Sequence, residues 1–134
     1  GKGDADIRQD FPGGWEDDAN NAFTKSGRTV EQSKFYDFTA KLFQWRKNKS
    51  VVHFGKMTHY IPENNVYVYF RHNDTETVMV VINNSAEVKS IKTSRFQENI
   101  KTFISGKDVL SGKSVDIKNQ ISLEGKSVLI LELN

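Results

Sequence analysis

The apolar positions of this chain change period twice. Residues 1 to 27 show no sustained period of 2 or 3.6, carry five of the nine glycines, and hold a Pro-Gly-Gly punctuation and an Asp/Asn-rich stretch, so they read as loop. In Phe11-Pro12-Gly13-Gly14, Pro presets the first central φ of a type II turn and Gly supplies the positive φ of the second. A loop of this length is uncommon in a compact domain unless it has work to do. A helical period then runs from about Val30 to Lys47. Phe35, Phe38, Leu42 and Trp45 are spaced three, four and three apart and line one face, which Tyr36, Ala40 and Phe43 widen. Thr29 and Gln32 have the spacing of a capping box, and Glu31 at the start with Arg46, Lys47 and Lys49 at the end matches the helix dipole. The aromatic stripe reads first as core packing, and it is broad for one short sheet to cover.

From residue 50 onward the pattern is that of strands. Lys56–Ile61, Val66–Arg71 and Glu76–Asn83 form a meander, separated by the turn compositions Pro62-Glu63-Asn64-Asn65 and His72-Asn73-Asp74-Thr75. Val66, Val68 and Phe70 share one face, with Tyr67, Tyr69 and Arg71 on the other. Val78, Val80 and Ile82 alternate likewise with Thr77, Met79 and Val81, so both faces are partly apolar and the strands central. Further strands are expected at Glu87–Ile91, Lys107–Leu110, Ser114–Ile117, Gln120–Leu123 and Ser127–Leu133, with a short helix around Phe96–Ile100. Seven or eight short strands with turns such as Ser111-Gly112 and Glu124-Gly125 predict a mainly β fold: an antiparallel two-sheet β-sandwich preceded by a long loop and one α-helix.

Composition narrows the chemistry. At 134 residues the chain has surface enough to bury without a disulfide or metal staple. The absence of cysteine closes thiolate catalysis and thiolate zinc sites, and leaves the compartment unreadable from redox usage. No apolar run approaches the roughly 20 residues of a membrane span, so no membrane partner is expected. The start, Gly1-Lys2-Gly3-Asp4, is neither an initiator Met nor a signal peptide, and the chain reads as cut from something longer. The net charge of +2 hides an asymmetry: residues 1–20 hold two basic against six acidic residues, the remainder 17 against 11. The lysines of the basic part are scattered, and no nucleic-acid motif accompanies them, so no nucleic-acid partner is expected.

Candidate chemistry is sparse. Asp4, Asp6 and Asp10 evoke a calcium loop, but Arg8, Gln9 and Trp15 stand where that loop needs Asp or Asn, Gly and Glu. His53, His59 and His72 have no helical i, i+4 partner, so no metal or other cofactor is expected. The sequons at Asn48, Asn73 and Asn83 are short enough to arise by chance. No Gly-x-Ser-x-Gly elbow presents a serine nucleophile, and no catalytic residue is assigned.

The most distinctive stretch is Gly3-Asp4-Ala5-Asp6-Ile7-Arg8-Gln9-Asp10-Phe11-Pro12-Gly13-Gly14-Trp15, followed by Asn21-Ala22-Phe23, Arg28-Thr29 and Leu42-Phe43-Gln44-Trp45-Arg46-Lys47. It resembles the end of the catalytic barrel in α-amylase-family glycoside hydrolases, in particular the neopullulanase and cyclomaltodextrinase branch. Gly55-Lys56, Tyr60-Ile61-Pro62, Val66 to Tyr69, Val78 to Asn83 and Asp108 to Gly112 continue the likeness into that family's C-terminal β-sandwich domain. The resemblance implies that residues 1–49 are the final loop and helix of the barrel and residues 50–134 the C-terminal sandwich. It also implies a retaining mechanism on α-glucosidic bonds, with two carboxylates about 5 to 5.5 Å apart on barrel strands upstream of Gly1, so the fragment itself would be inactive. Within the parent, Phe11 and Trp15 would offer flat faces to a sugar ring and Arg8 and Asp10 would hydrogen-bond its hydroxyls. The alternative is that Trp15 and Phe11 pack the loop and Arg8 pairs with Asp10 or another carboxylate. Phe35, Phe38, Leu42 and Trp45 would face the barrel, so the expected partners are that barrel and, in the parent, α-glucan. In isolation the stripe would fold back on the sandwich or drive self-association. A second reading is a stand-alone α-glucan-binding module using Tyr67 and Tyr69 as its platform; a small active hydrolase is a third. Periplasmic and cytoplasmic settings are equally compatible.

Overall fold

A computed structural model describes residues 3–8 and 11–134, without the side chain of Asp6. Two compact units, residues 1–40 and 41–134, are described separately.

In the second unit, β1 (Lys56–His59), β2 (Val66–His72), β3 (Thr77–Asn83), β5 (Ser105–Asp108), β6 (Ser114–Asp116) and β8 (Ser127–Leu133) form a six-stranded antiparallel sheet in the order β1-β2-β3-β8-β5-β6. A second sheet pairs β4 (Lys89–Lys92) with β7 (Gln120–Leu123). The expected sandwich is therefore present. Alternation decides its core. Val66, Val68 and Phe70 of β2, Met79 and Val81 of β3 and Leu131 of β8 turn toward Ile121 and Leu123 of β7, and Phe96, Ile100 and Ile117 close the same cluster. The opposite face of β3 and β8 buries Val78, Val80 and Ile130 under Val51. With both faces covered, β3 and β8 are the central strands, as the double apolar alternation of β3 requires.

Several boundaries differ from the sequence reading, each for a local reason. Residues 50 to 54 were expected to begin the strand region, yet Ser50–Phe54 forms a short helix, α3, because Val51 is drawn into the outer cluster at a spacing no strand alternation supplies. β4 begins at Lys89 rather than Glu87, since Ser85 and the Glu87 carbonyl are engaged by the Asn83 side chain. β5 begins at Ser105, before the expected Lys107: Gly106, which reads as a breaker, lies against β8 where an added Cβ would stand 2.9 Å from the Leu131 Cβ. The Pro62–Asn65 turn takes its form from two left-handed residues, Asn64 (φ 51) and Asn65 (φ 63), the geometry that suits a tight hairpin.

In the first unit, a single turn of helix, α1 (Asp4–Ile7), and a 3₁₀ turn at Lys25–Gly27 interrupt what read as continuous loop. The 18-residue helix α2 (Val30–Lys47) begins at the expected residue, and its part from Lys41 onward belongs to the second unit. Its capping box is formed: the Thr29 amide donates to Gln32 Oε1 at 2.8 Å and the Gln32 amide to Thr29 Oγ1 at 3.2 Å.

Candidate functional site

The loop between α1 and α2 is shaped by its own polar groups. Asp18 accepts hydrogen bonds from the Gly13 amide at 2.8 Å and the Trp15 amide at 3.2 Å, gathering the turn around one carboxylate. Gly13 has the positive φ (111°) its turn requires, and an added Cβ would meet Asn21 Oδ1 at 2.5 Å, so this position excludes side chains on two counts. Asn21 in turn accepts from the Phe23 and Thr24 amides. The Arg28 guanidinium donates to the Ala22 carbonyl at 2.8 Å and lies 3.9 Å from the Tyr36 ring centroid, stitching the loop's end to α2.

On this frame the expected ligand-contacting residues are placed unevenly. Trp15 stands free, with 78% of its surface exposed, while its backbone is held by Asp18. Phe11 leans on Phe23, ring centroids 5.3 Å apart, yet remains exposed. Arg8 forms an exposed 3.1 Å ion pair with Asp4 one helical turn away. Asp10 lies outside the described residues. The rings of Phe11, Phe35 and Tyr36 line an open groove of about 390 Å³ with Pro12 and the Arg28 stem. Among the described residues of this unit no hydrophobic side chain is buried.

The helical stripe divides. Phe35 (77% exposed) and Phe38 (45%) are uncovered, as is Phe43, whereas Leu42 and Trp45 pack on the cluster of Val51, Val78, Val80 and Ile130. Polar groups lock that packing. Trp45 Nε1 donates to Glu132 Oε1 at 2.6 Å, the Lys49 ammonium reaches the same oxygen at 2.8 Å and Glu76 at 3.1 Å, and the Lys41 ammonium donates to the Leu110 carbonyl. Glu132 follows Val128 and Ile130 on the apolar outer face of β8, a break in alternation that marks this clamp, whereas the position of Lys49 in sequence points only to the helix dipole.

The clamp sets a pH dependence. Burial pushes the Glu132 carboxyl up, but bonds from Lys49 and Trp45 outweigh it and hold the group below its ordinary range; the Glu132 bond likewise holds Lys49 above the ordinary lysine range. A lowered carboxyl pKa contributes stability that is present above the unfolded value and lost as pH falls through the folded one. For Lys49 the contribution is present below the unfolded value and lost as pH rises through the folded one. Glu132→Gln is therefore expected to destabilise the chain by about 1 kcal/mol at neutral pH, the screened worth of a partly exposed charged bond. The difference from the parent chain shrinks as pH drops below the carboxylate range. Urea titrations of both proteins across that range check it; a pH-independent difference would show that the ionised clamp contributes nothing.

No group of three or more His, Asp or Glu side chains placed to hold a metal ion occurs among the described residues, and no described helix is long and apolar enough to cross a membrane. The sandwich and the helix end clamped to its outer face define an antiparallel β-sandwich domain joined to a loop-and-helix unit. Residues 57–132 match the family model of the cyclo-malto-dextrinase C-terminal domain, and the chain belongs to that family.

Solved structures share the fold. An α-amylase from Anoxybacillus superposes with a TM-score of 0.68 at 18% identity, over 90% of this chain and 26% of its own. The α-amylase of Geobacillus thermoleovorans, solved with acarbose, gives 0.68 at 17% identity over 91% of this chain and 27% of its own. The trehalulose synthase MutB of Pseudomonas mesoacidophila MX-45 gives 0.62 at 21%, over 85% and 20%. The chain thus spans about a fifth to a quarter of the length of these proteins.

Proposed function

We propose that the chain is the non-catalytic C-terminal part of an α-glucan-degrading glycoside hydrolase of the neopullulanase and cyclomaltodextrinase type. Residues 1–49 supply the final loop and helix of its catalytic barrel, and residues 50–134 form the sandwich that packs against and stabilises that barrel. The observation that carries the reading is the first unit's lack of any buried hydrophobic side chain among its described residues, although it presents Phe11, Trp15, Phe23, Phe35 and Phe38 to the surface. Burying one such ring fully is worth roughly 1.5 to 3 kcal/mol, so a shaped, capped segment that leaves five uncovered is built to be covered by another body. In this reading Phe35, Phe38 and Phe43 meet the barrel, while Leu42 and Trp45 anchor the helix end to the sandwich. Trp15 and Phe11, with Arg8 and Asp10, lie in the loop that borders the parent's glucan site, Trp15 being the exposed ring available for stacking on a sugar.

Two measurements on the isolated chain test this. Light scattering over a concentration series should show self-association through the uncovered rings, and incubation with pullulan or cyclodextrin should yield no turnover. A strict monomer at high concentration, or hydrolysis by the chain alone, would contradict the assignment.

A further inference from the structure

The outer face of the large sheet is only partly covered. Leu42, Trp45 and Val51 seal it over β3 and β8, at Val78, Val80 and Ile130. Toward the β1 edge, strand register puts Met57 beside Arg71 and His59 beside Tyr69, so Met57, His59, Tyr67, Tyr69 and Arg71 share the face that α3 and the end of α2 occupy. The rings form a continuous strip: His59 meets Tyr67 edge-on at 6.4 Å, and Tyr67 lies 5.7 Å from Tyr69. Met57 is exposed and Tyr67 half-buried. Arg71 is half-buried, yet its guanidinium forms no ion pair, and its buried Nε finds no hydrogen-bond acceptor, among the described residues.

We propose that this strip is a second contact surface for the catalytic barrel, whose matching segment lays apolar side chains on Met57 and Tyr67 and brings a carboxylate to Arg71. The inference rests on the reading of α2 as a barrel helix. In that reading the last turns of α2, from Leu42 to Lys47, are the part of the barrel body that packs on this sheet face, and the strip continues the same surface toward the β1 edge. A strip flanking a packed helix is where the next element of that body falls. Its chemistry fits a protein better than a sugar. The Tyr67 and Tyr69 planes are inclined by 34°, and Tyr69 is already packed on the outer cluster, so the two do not present one flat platform. A half-buried cation without a counter-charge calls for a fixed acidic partner.

Hydroxyl-radical footprinting with mass-spectrometric readout decides the matter on native residues, comparing the isolated chain with the full-length polypeptide. Oxidation of Met57 and Tyr67 is expected to fall roughly fivefold or more in the full-length protein, as for residues in an interface core, while exposed Ile104 changes little. Phe35 and Phe38 report the underlying reading separately. If they are protected and the strip is not, the second contact is wrong and the barrel assignment stands; if neither is protected, both fall. Protection of Tyr67 that appears only on adding maltotriose would make the strip a glucan platform. Protection that grows with concentration in the isolated chain would assign it to a second copy. Either of these overturns the proposal. An Arg71→Met variant gives an independent check: it should lower the melting temperature of the full-length protein and leave that of the isolated chain nearly unchanged. Equal losses in both would locate the role of Arg71 within the sandwich itself.

Discussion

Replacing Phe35 and Phe38 by alanine should have opposite consequences in the isolated chain and in the full-length polypeptide. In isolation both rings are in water, and truncating an exposed side chain on a helix surface changes stability within about 0.5 kcal/mol. Alanine is also the better helix former, so the isolated helix would gain slightly and the chain would associate less. In the proposed reading the barrel encloses the same rings, and Phe→Ala in a packed interior costs about 3 to 5 kcal/mol, through lost transfer energy and the cavity left behind. The double variant would then lose several kcal/mol in the full-length protein, a large part of the roughly 5 to 15 kcal/mol that holds a domain folded. Thermal melts of the four proteins measure this directly. Equal and small effects in both contexts would mean the stripe faces water in the parent as well. Trp45 is the internal control. It already packs on the sandwich and bonds Glu132, so Trp45→Ala should destabilise the isolated chain too.

The division of that stripe also explains what the sequence could and could not disclose. A helical period reports which residues share a face, and Phe35, Phe38, Leu42 and Trp45 do; it does not report where along the helix one covering body ends. The change comes between Phe38 and Leu42, and its cause is remote in sequence: Glu132 and Ile130 on β8 and Val78 and Val80 on β3 receive the last turns. The strands were legible because each carries its own alternation, and Gln120–Leu123 and Ser127–Leu133 form at the expected residues. The elements read wrongly were those with no local period to find. Ser50–Phe54 has two adjacent valines, of which only Val51 is fully buried, and β5 hides its strand character behind Gly106, which is needed where the backbone nears Leu131. In the loop, the Gly13 turn followed from chemistry fixed by φ. The Asp18 carboxylate that organises it was invisible because its partners are backbone amides, which every sequence has.

The same limit applies to Asn83, which in sequence is the first residue of a glycosylation triplet. It is 1% exposed, so the folded chain offers no amide nitrogen there to a glycosyl transfer, and its side chain has another task. Its Nδ2 donates to the Glu87 carbonyl at 2.8 Å and the Glu124 carbonyl at 2.9 Å, and its Oδ1 accepts from the Ser85 amide at 3.0 Å and the Ser85 hydroxyl at 2.8 Å. One amide thus ties the turn after β3 to the turn before β8, and so joins the large sheet to the strand ends of the small one. Asn83→Leu keeps a similar size but leaves the Ser85 amide without its acceptor and takes one donor from each of the Glu87 and Glu124 carbonyls, which keep the Ser85 and Ser127 hydroxyls. The expected loss is about 3 kcal/mol, roughly 1 to 2 for the amide left unsatisfied and about 0.5 to 1 for each hydrogen bond the two carbonyls lose. For a domain of this size that corresponds to a drop of about 10 °C in melting temperature. Asn83→Asp should recover part of it, because Oδ1 still accepts from Ser85, but its second oxygen would face the Glu87 and Glu124 carbonyls, leaving it well short of the parent chain. Calorimetry of the two variants is the check. The loss should appear equally in the isolated chain and in the full-length polypeptide, since every partner of Asn83 lies within the sandwich. That separates it from the Phe35 and Phe38 pair, whose effect is expected only with the proposed barrel in place. A tolerant Asn83, with both variants melting near the parent chain, would show that the turns are held by packing alone.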